Sequence, residues 1–175
     1  MKIHLGLIGL SAPALALGVG AAFGAASAHA DTVVYDGPCG QACQNSAVTI
    51  TSADNAKMVT KTVTSADGTV STRVTGKGPD LTVFNPDSPS VAVALKGNGA
   101  TSKTVTHPDG TSTLTVTGHN VLIYFPTDTL LGGGPGPATQ LVTGRAVVNI
   151  DANGNYTTVS QSGKVTDICA QLPPS

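Results

Sequence analysis

A sixteen-residue stretch is written twice in this chain, and that duplication constrains the fold more than any other feature. Residues 61–76 read KTVTSADGTVSTRVTG, and residues 103–118 read KTVTHPDGTSTLTVTG. Ten of the 16 paired positions are identical, at a constant step of 42 residues. Each copy has two arms rich in Thr and Val, whose branching at Cβ restricts χ1 and suits a pleated strand. The arms alternate, as in Thr62-Val63-Thr64 and Thr115-Val116-Thr117, so one side of each faces a core and the other faces water. Between the arms stand Ser65-Ala66-Asp67-Gly68 and His107-Pro108-Asp109-Gly110. Both fit a type I turn closed by a glycine bulge. Each copy is followed by an apolar run stopped by a proline near an acid, LTVFNPD over 81–87 and VLIYFPTD over 121–128. The predicted unit is a hairpin plus a third, more deeply buried strand. A fainter echo, Val142-Thr143-Gly144, precedes an apolar run to Ile150 and a turn at 151–155. Its step of 26 residues from Gly118 does not match the first step. Two clear copies are too few for a propeller or solenoid.

Residues 1–30 read as a secretory signal peptide: Lys2, then an apolar and small-residue run from Leu5 to Phe23, then Ala28-His29-Ala30 as the cleavage signature. Pro13 and several glycines argue against a retained spanning helix, and no cysteine stands at the cleavage point to carry a lipid. The expected product is secreted, to the medium or the cell envelope, with no transmembrane segment. Removing Lys2 with the leader leaves eight cations against ten acids, all Asp, for a formal charge of −2. Glu and Trp are absent, and Thr, Val, Ser and Gly dominate. No segment of the mature chain has helical periodicity. The reading is an irregular, cysteine-containing leader over 31–45, a single all-β domain over 46–172, and a tail over 173–175. Strands are expected at 46–51, 56–64, 69–75, 81–85, 91–95, in the second repeat over 103–125 (a hairpin plus a third strand), and at 141–150, 156–161 and 164–169. About ten closely spaced strands joined by short loops specify an antiparallel β-sandwich or barrel built from repeated hairpins.

Three cysteines in an exported chain call for one bridge and leave one thiol over. Cys169 with Cys39 or Cys43 would tie the ends together, and a long loop closed in this way stabilises by about 4–5 kcal/mol in the chain-entropy model. A local Cys39–Cys43 bridge would stabilise less. A metal site using these thiols with His107 or His119 lacks the second close ligand pair that structural zinc needs. Neither histidine stands near a serine-nucleophile motif. Asp67 and Asp109 occupy matched positions and invite a carboxylate-pair reading, a hydrolase using Asp pairs, but an Asp-Gly turn wants an Asp there for its own sake. Asp87 and Asp128 follow strand-ending prolines. Asp151, Asn153 and Asn155 resemble the first ligands of a calcium loop. The match then fails at Tyr156 and Ser162, and Asn153-Gly154 reads as a hairpin turn. A stacking platform for a sugar needs aromatic faces, for which Tyr35, Tyr124 and Tyr156 are the candidates. Tyr124 and Phe125 are adjacent, so one is expected inside and the other outside. The glycine-proline segment 132–137 reads as a mobile connector. The net charge argues against nucleic acid. No cofactor is implied.

The leader, the Thr/Asp/Gly-rich strands and the segments GRAVVNIDANG and GKVTDICAQL make residues 103–172 resemble small exported actinobacterial proteins with no assigned function. The resemblance implies export and brings no catalytic motif. The sequence therefore predicts a secreted, non-enzymatic β-domain acting by surface contact. A carbohydrate- or small-ligand-binding module centred on Tyr124 or Tyr156 is the alternative, and an Asp-dependent hydrolase the third reading.

Overall fold

The computed structural model describes residues 32–97 and 99–175, so the signal-peptide reading of 1–30 lies outside the described residues. Among the described residues, ten strands form two antiparallel sheets. The smaller has the order β1 (Thr32–Gly37), β2 (Val48–Ser52), β5 (Leu81–Phe84), β6 (Ala92–Leu95). The larger has the order β10 (Tyr156–Asp167), β9 (Ala138–Ile150), β8 (Ser112–Tyr124), β7 (Gly99–Thr106), β4 (Val70–Lys77), β3 (Lys57–Thr64). The sheets are not closed into a barrel; the architecture is a sandwich.

The duplicated stretches are the hairpins β3–β4 and β7–β8, joined side by side through β4 and β7. Their turns share one hydrogen-bond pattern. Gly68 N–H donates to Ser65 O (3.0 Å) and Ser65 N–H to Thr69 O (2.9 Å). Gly110 and His107 repeat both bonds, with Thr111 O as the second acceptor. Gly154 and Asp151 repeat them in the β9–β10 turn, with Asn155 O as the second acceptor. The bulge glycines have φ of +84°, +85° and +82°, as this turn requires. All three hairpins therefore keep the same phase of alternation.

The third strand of each unit behaves differently in the two copies. In the first, Gly78-Pro79-Asp80 breaks the ladder, since proline has no N–H to donate, and β5 passes into the smaller sheet. In the second, the strand runs on unbroken, and β8 reaches 13 residues. Leu81 and Val83 of β5 then meet Val121 and Ile123 of β8 in one buried cluster with Val48, Ile50 and Ile168. The sequence-based expectation of a separate strand at 164–169 is corrected here, because β10 runs continuously through Gly163 from Tyr156 to Asp167.

The long strands continue because they bend at a common line. Register places Met58, Gly76, Ala100, Gly118, Gly144 and Gly163 in one row across all six strands of the larger sheet. The four glycines have φ of +144°, +93°, +151° and +90°. A Cβ on any of them would collide with a backbone oxygen of the next strand: of Lys57, Gly99, Ser162 and Thr143 respectively. The consequence is a fold-back. Tyr124 lies ten residues beyond Leu114 on β8, about 33 Å away if the strand were straight. Yet Tyr124 Oη stands 2.7 Å from Thr158 Oγ1, and Thr158 is paired to Val148, which is paired to Leu114. The two halves of β8–β10 thus close over a second core of Leu114, Val116, Leu122, Tyr124, Val142, Ala146, Val148 and Tyr156.

Asp128 fixes this closure. It is 1% exposed, and its carboxylate accepts from the Phe125 N–H (2.6 Å) and the Tyr156 N–H (2.8 Å). Gly136 N–H donates to its carbonyl at 2.9 Å, so the glycine-proline segment read as a mobile connector is hydrogen-bonded to the core. The first unit lacks this lock: Asp87 is exposed, and the buried polar side chain is Asn85, which stands at the turn position of Phe125 and accepts from the Asp87 N–H at 3.0 Å.

Two other expectations need correction. The stretch expected to be an irregular leader forms β1, which pairs with β2 across a bulge between Val33 and Tyr35. Residues 173–175, expected to be a tail, are held: Ser46 Oγ and Asn85 Nδ2 both donate to Pro173 O at 2.8 and 2.9 Å, and Ser175 N–H donates to Asn45 O. Beside them the bridge is Cys43–Cys169, at a sequence separation of 126, and Cys39 is an exposed free thiol. Closing that loop contributes about 5 kcal/mol in the chain-entropy model.

Gly118→Val drives a Cβ into the Gly99 carbonyl oxygen and demands a left-handed φ from a β-branched residue. Chemical denaturation should show a loss of about 3 kcal/mol or more. Gly99→Ala in the adjacent strand, where a Cβ meets nothing within 4 Å, should stay within about 0.5 kcal/mol of the parent. Equal effects at the two positions would contradict the bend.

Candidate functional site

The residues nominated from sequence fall mostly into structural duties. Asp67 accepts from Thr69 N–H (3.0 Å) and Thr69 Oγ1 (3.1 Å), and Asp109 accepts from Thr111 N–H (2.9 Å) and Thr111 Oγ1 (2.7 Å). These bonds hold both carboxyls below the usual carboxylate range. The tips do sit side by side, since a Cβ on Gly68 would stand 3.4 Å from Pro108 Cγ. They are open to solvent, however, and each carboxylate is engaged by its own turn. Asp151 is occupied in the same way. It accepts from the N–H groups of Asn153 and Asn155, both at 2.9 Å, and from Asn155 Nδ2 at 2.8 Å. The calcium-like alternation of Asp151, Asn153 and Asn155 is thus a self-capped hairpin turn. Among the described residues no group of three His, Cys, Asp or Glu is placed to share a metal ion.

The stacking platform expected at Tyr124 or Tyr156 does not form. Tyr124 is 1% exposed and Tyr156 7%, because the fold-back covers that side of the sheet. Tyr124 and Phe125 do not divide into inside and outside. Tyr124 enters the fold-back core, and Phe125 packs from the opposite side of the strand beside Tyr35, with ring centroids 6.2 Å apart. A shallow depression of about 430 Å³ beside the disulfide is lined by residues including Cys43, Ser46, Pro137 and Leu172, and Asp167 supplies its one carboxylate.

The surface that sequence reading missed is the outer face of the larger sheet, on the hairpin side of the glycine line. Even-numbered positions of β8 and β9 (Leu114, Val116, Ala146, Val148) point into the fold-back core. Odd-numbered positions take the other face, and there the cations gather. Lys61, Arg73, Lys103 and Thr115 stand in one row across β3, β4, β7 and β8. The next row toward the glycine line is Val59, Thr75, Thr101, Thr117, Arg145 and Ser162. One position past the line, Lys57 pairs with Lys77. The row nearer the hairpin tips is Val63, Ser71, Val105, Thr113, Asn149 and Thr157. Lys164 on β10 stands in the same row past the line as Lys57 and Lys77, so seven of the eight cations beyond residue 31 lie on one face, and no acid shares these rows.

This arrangement costs stability. Neighbouring strands are about 4.8 Å apart, and like charges directly opposite one another destabilise a sheet. Two charges about 6 Å apart repel by about 0.7 kcal/mol in water. Nothing nearby offsets the repulsion: among the described residues the ion pair is Lys96–Asp80 (3.1 Å), on the other sheet. The signal was present in the sequence as six of the eight cations beyond residue 31 at odd positions. It needed the shared turn phase and the β4–β7 pairing to become a surface.

No protein-family model, curated protein or solved structure matches the chain.

Arg73→Thr removes the middle charge of the row and inserts a better strand former. At low salt it should raise stability by about 0.2–1 kcal/mol, and the gain should shrink at about 1 M salt, where the Debye length is about 3 Å. A loss of stability at low salt would contradict the unpaired row. The tyrosines give a second check. Burial raises the phenols of Tyr35, Tyr124 and Tyr156, and burial together with the Asp128 and Tyr124 neighbours pushes Tyr156 up to about 12. A raised phenol contributes stability that is complete below the unfolded value near 10 and lost as pH climbs through about 12. Tyrosinate absorbance should therefore lag behind that of the unfolded chain and rise together with alkaline unfolding. Free titration of all three near pH 10 in the folded state would contradict their placement.

Proposed function

We propose that this chain is an exported, non-enzymatic β-sandwich that works by contact through the outer face of its larger sheet. The observation that carries the reading is the collection of Lys57, Lys61, Arg73, Lys77, Lys103 and Arg145 on one face with no acid among them. A protein with an overall negative charge gains nothing in solubility from such segregation, and its fold loses stability by it. A working surface for an anionic partner accounts for that cost. The Cys43–Cys169 disulfide fits an oxidising destination, as does the signal-like sequence before Asp31. Among the described residues no helix is long and apolar enough to cross a membrane. The carboxylates that a hydrolase would draw on are each engaged by their own turns.

A sulfonate cation-exchange resin at pH 7.5 tests the reading. The mature chain, with a formal charge of −2, should nonetheless be retained and elute with salt. The variant K61T/R73T/K103T should flow through, while Lys96→Thr, a charge off this face, should leave retention nearly unchanged. Flow-through of the parent chain, or equal weakening by Lys96→Thr, would contradict the reading.

A further inference from the structure

We infer that the partner of this face is a linear acidic polysaccharide carrying one carboxylate on each sugar ring, lying across the strands along the Lys61–Arg73–Lys103 row. This rests on the reading of the outer face as the working surface and adds the chemistry of the ligand. Four features of the face select that class.

The first is the charge repeat. Lys61, Arg73 and Lys103 are contributed by three consecutive strands, so one cation recurs at each strand spacing of about 4.8 Å. An extended chain of pyranose rings advances by about one strand spacing per ring. Successive rings turn about the chain axis, so a polymer charged on every ring brings about twice the charge per unit length to the row that one charged on every second ring would. The second is the ground between the cations. Thr75, Thr101, Thr115 and Thr117 stand in the same and the adjoining row, each partly or fully exposed. Their hydroxyls both donate and accept, which is the complement that ring hydroxyls need.

The third concerns aromatic groups. The described tyrosines are in the core or partly covered, and the rows of this face contain no aromatic residue. Nucleic-acid bases would find cations for their phosphates but no platform to stack on. The fourth concerns apolar groups. The large apolar side chains exposed on β3 are Val59 and Val63, short and bound to a flat strand. A bilayer contact draws on longer apolar or aromatic side chains that reach past the headgroups. A flat, hydroxyl-rich, cationic lattice instead suits a stiff hydroxylated polyanion laid upon it. Register also sets a direction. The row becomes uncharged at Thr115 and stays so at Val147 and Ser160, so the polymer is gripped mainly at the β3–β4–β7 end, with Arg145 of β9 in the adjoining row as the further cation.

Binding of the folded, disulfide-bonded protein to an oligogalacturonate, to poly-L-glutamate of matched charge, to a single-stranded oligonucleotide and to vesicles rich in anionic phospholipid decides the matter. All four are measured by calorimetry or light scattering at low salt, with resin retention run in parallel. The oligogalacturonate should bind at least tenfold more tightly than poly-L-glutamate, and K61T/R73T/K103T should weaken it at least tenfold. Thr75→Val with Thr117→Val, which keep the strands and every charge, should weaken it several-fold while leaving poly-L-glutamate unchanged. Equal binding of sugar and peptide polyanions, or tighter binding of the oligonucleotide or the vesicles, would overturn the polysaccharide assignment while the retained resin binding kept the working face. Loss of both resin retention and all four ligands would overturn the face as well.

Discussion

Everything distinctive about this fold depends on a row of backbone positions that have no room for a single extra carbon. Gly76, Gly118, Gly144 and Gly163 stand opposite one another across the larger sheet, each with its missing side chain against a carbonyl of the neighbouring strand. A six-stranded sheet of Thr and Val would otherwise form a twisted but open layer with two exposed faces. Bending it along this line lets strands of 12 and 13 residues double back. The doubling gives a chain with few aromatics two separate cores. One lies inside the bend, around Tyr124 and Tyr156. The other lies between the far halves of the long strands and the smaller sheet, around Ile50, Val83 and Ile123. The near half of the outer face is left uncovered, and that is where the cations stand.

The closure is locked by polar contacts at both cores. Asp128 joins the end of β8 to the start of β10 through two backbone N–H groups. Cys43–Cys169 joins the segment before β2 to the segment after β10, and Asn85, Ser46 and Asn45 hold residues 173–175 against them. Of these, the disulfide, with a sequence separation of 126, also removes freedom from the unfolded chain, whereas the hydrogen bonds act in the folded state alone. Removing Asp128 would strand two buried donors. The carboxyl is thus a structural part, although the sequence marked it only as an acid after a proline.

Much of this was readable in the chain, and the losses have identifiable physical causes. The twin hairpins and their glycine bulges follow from local rules, and those rules held at Ser65–Thr69 and His107–Thr111. The Val-Thr-Gly echo at 142–144 was visible, but it resisted alignment as a repeat. In the first two copies the glycine follows its turn, whereas Gly144 precedes the Asp151–Asn155 turn. What the three glycines share is a row in space, reached from opposite strand directions. Ser162-Gly163 looked like a break between two strands because glycine usually ends one, yet here it bends one. β1 was missed because Val33-Val34-Tyr35, where the strand is bulged, breaks the alternation just before a glycine-, proline- and cysteine-rich turn. Tyr124 and Tyr156 were nominated as exposed aromatics on the assumption that each strand has one wet side. The fold-back denies that assumption to β8. The cationic face escaped notice because net charge averages over the surface, and the odd-numbered placement of Lys57, Lys61, Arg73, Lys77, Lys103 and Arg145 has meaning only once neighbouring strands are known.

Where an acidic polymer touches the sheet is measured directly by amide chemical-shift mapping. Titrating the labelled, oxidised protein with an oligogalacturonate should move the amides of Lys61, Arg73, Thr75, Thr101, Lys103 and Thr117 together. Those of Leu122, Val142 and Val148 in the fold-back core should stay still. Shifts centred on the hairpin tips at Asp67 and Asp109, or on the depression beside Cys43 and Cys169, with the odd-numbered face silent, would contradict the outer-face contact.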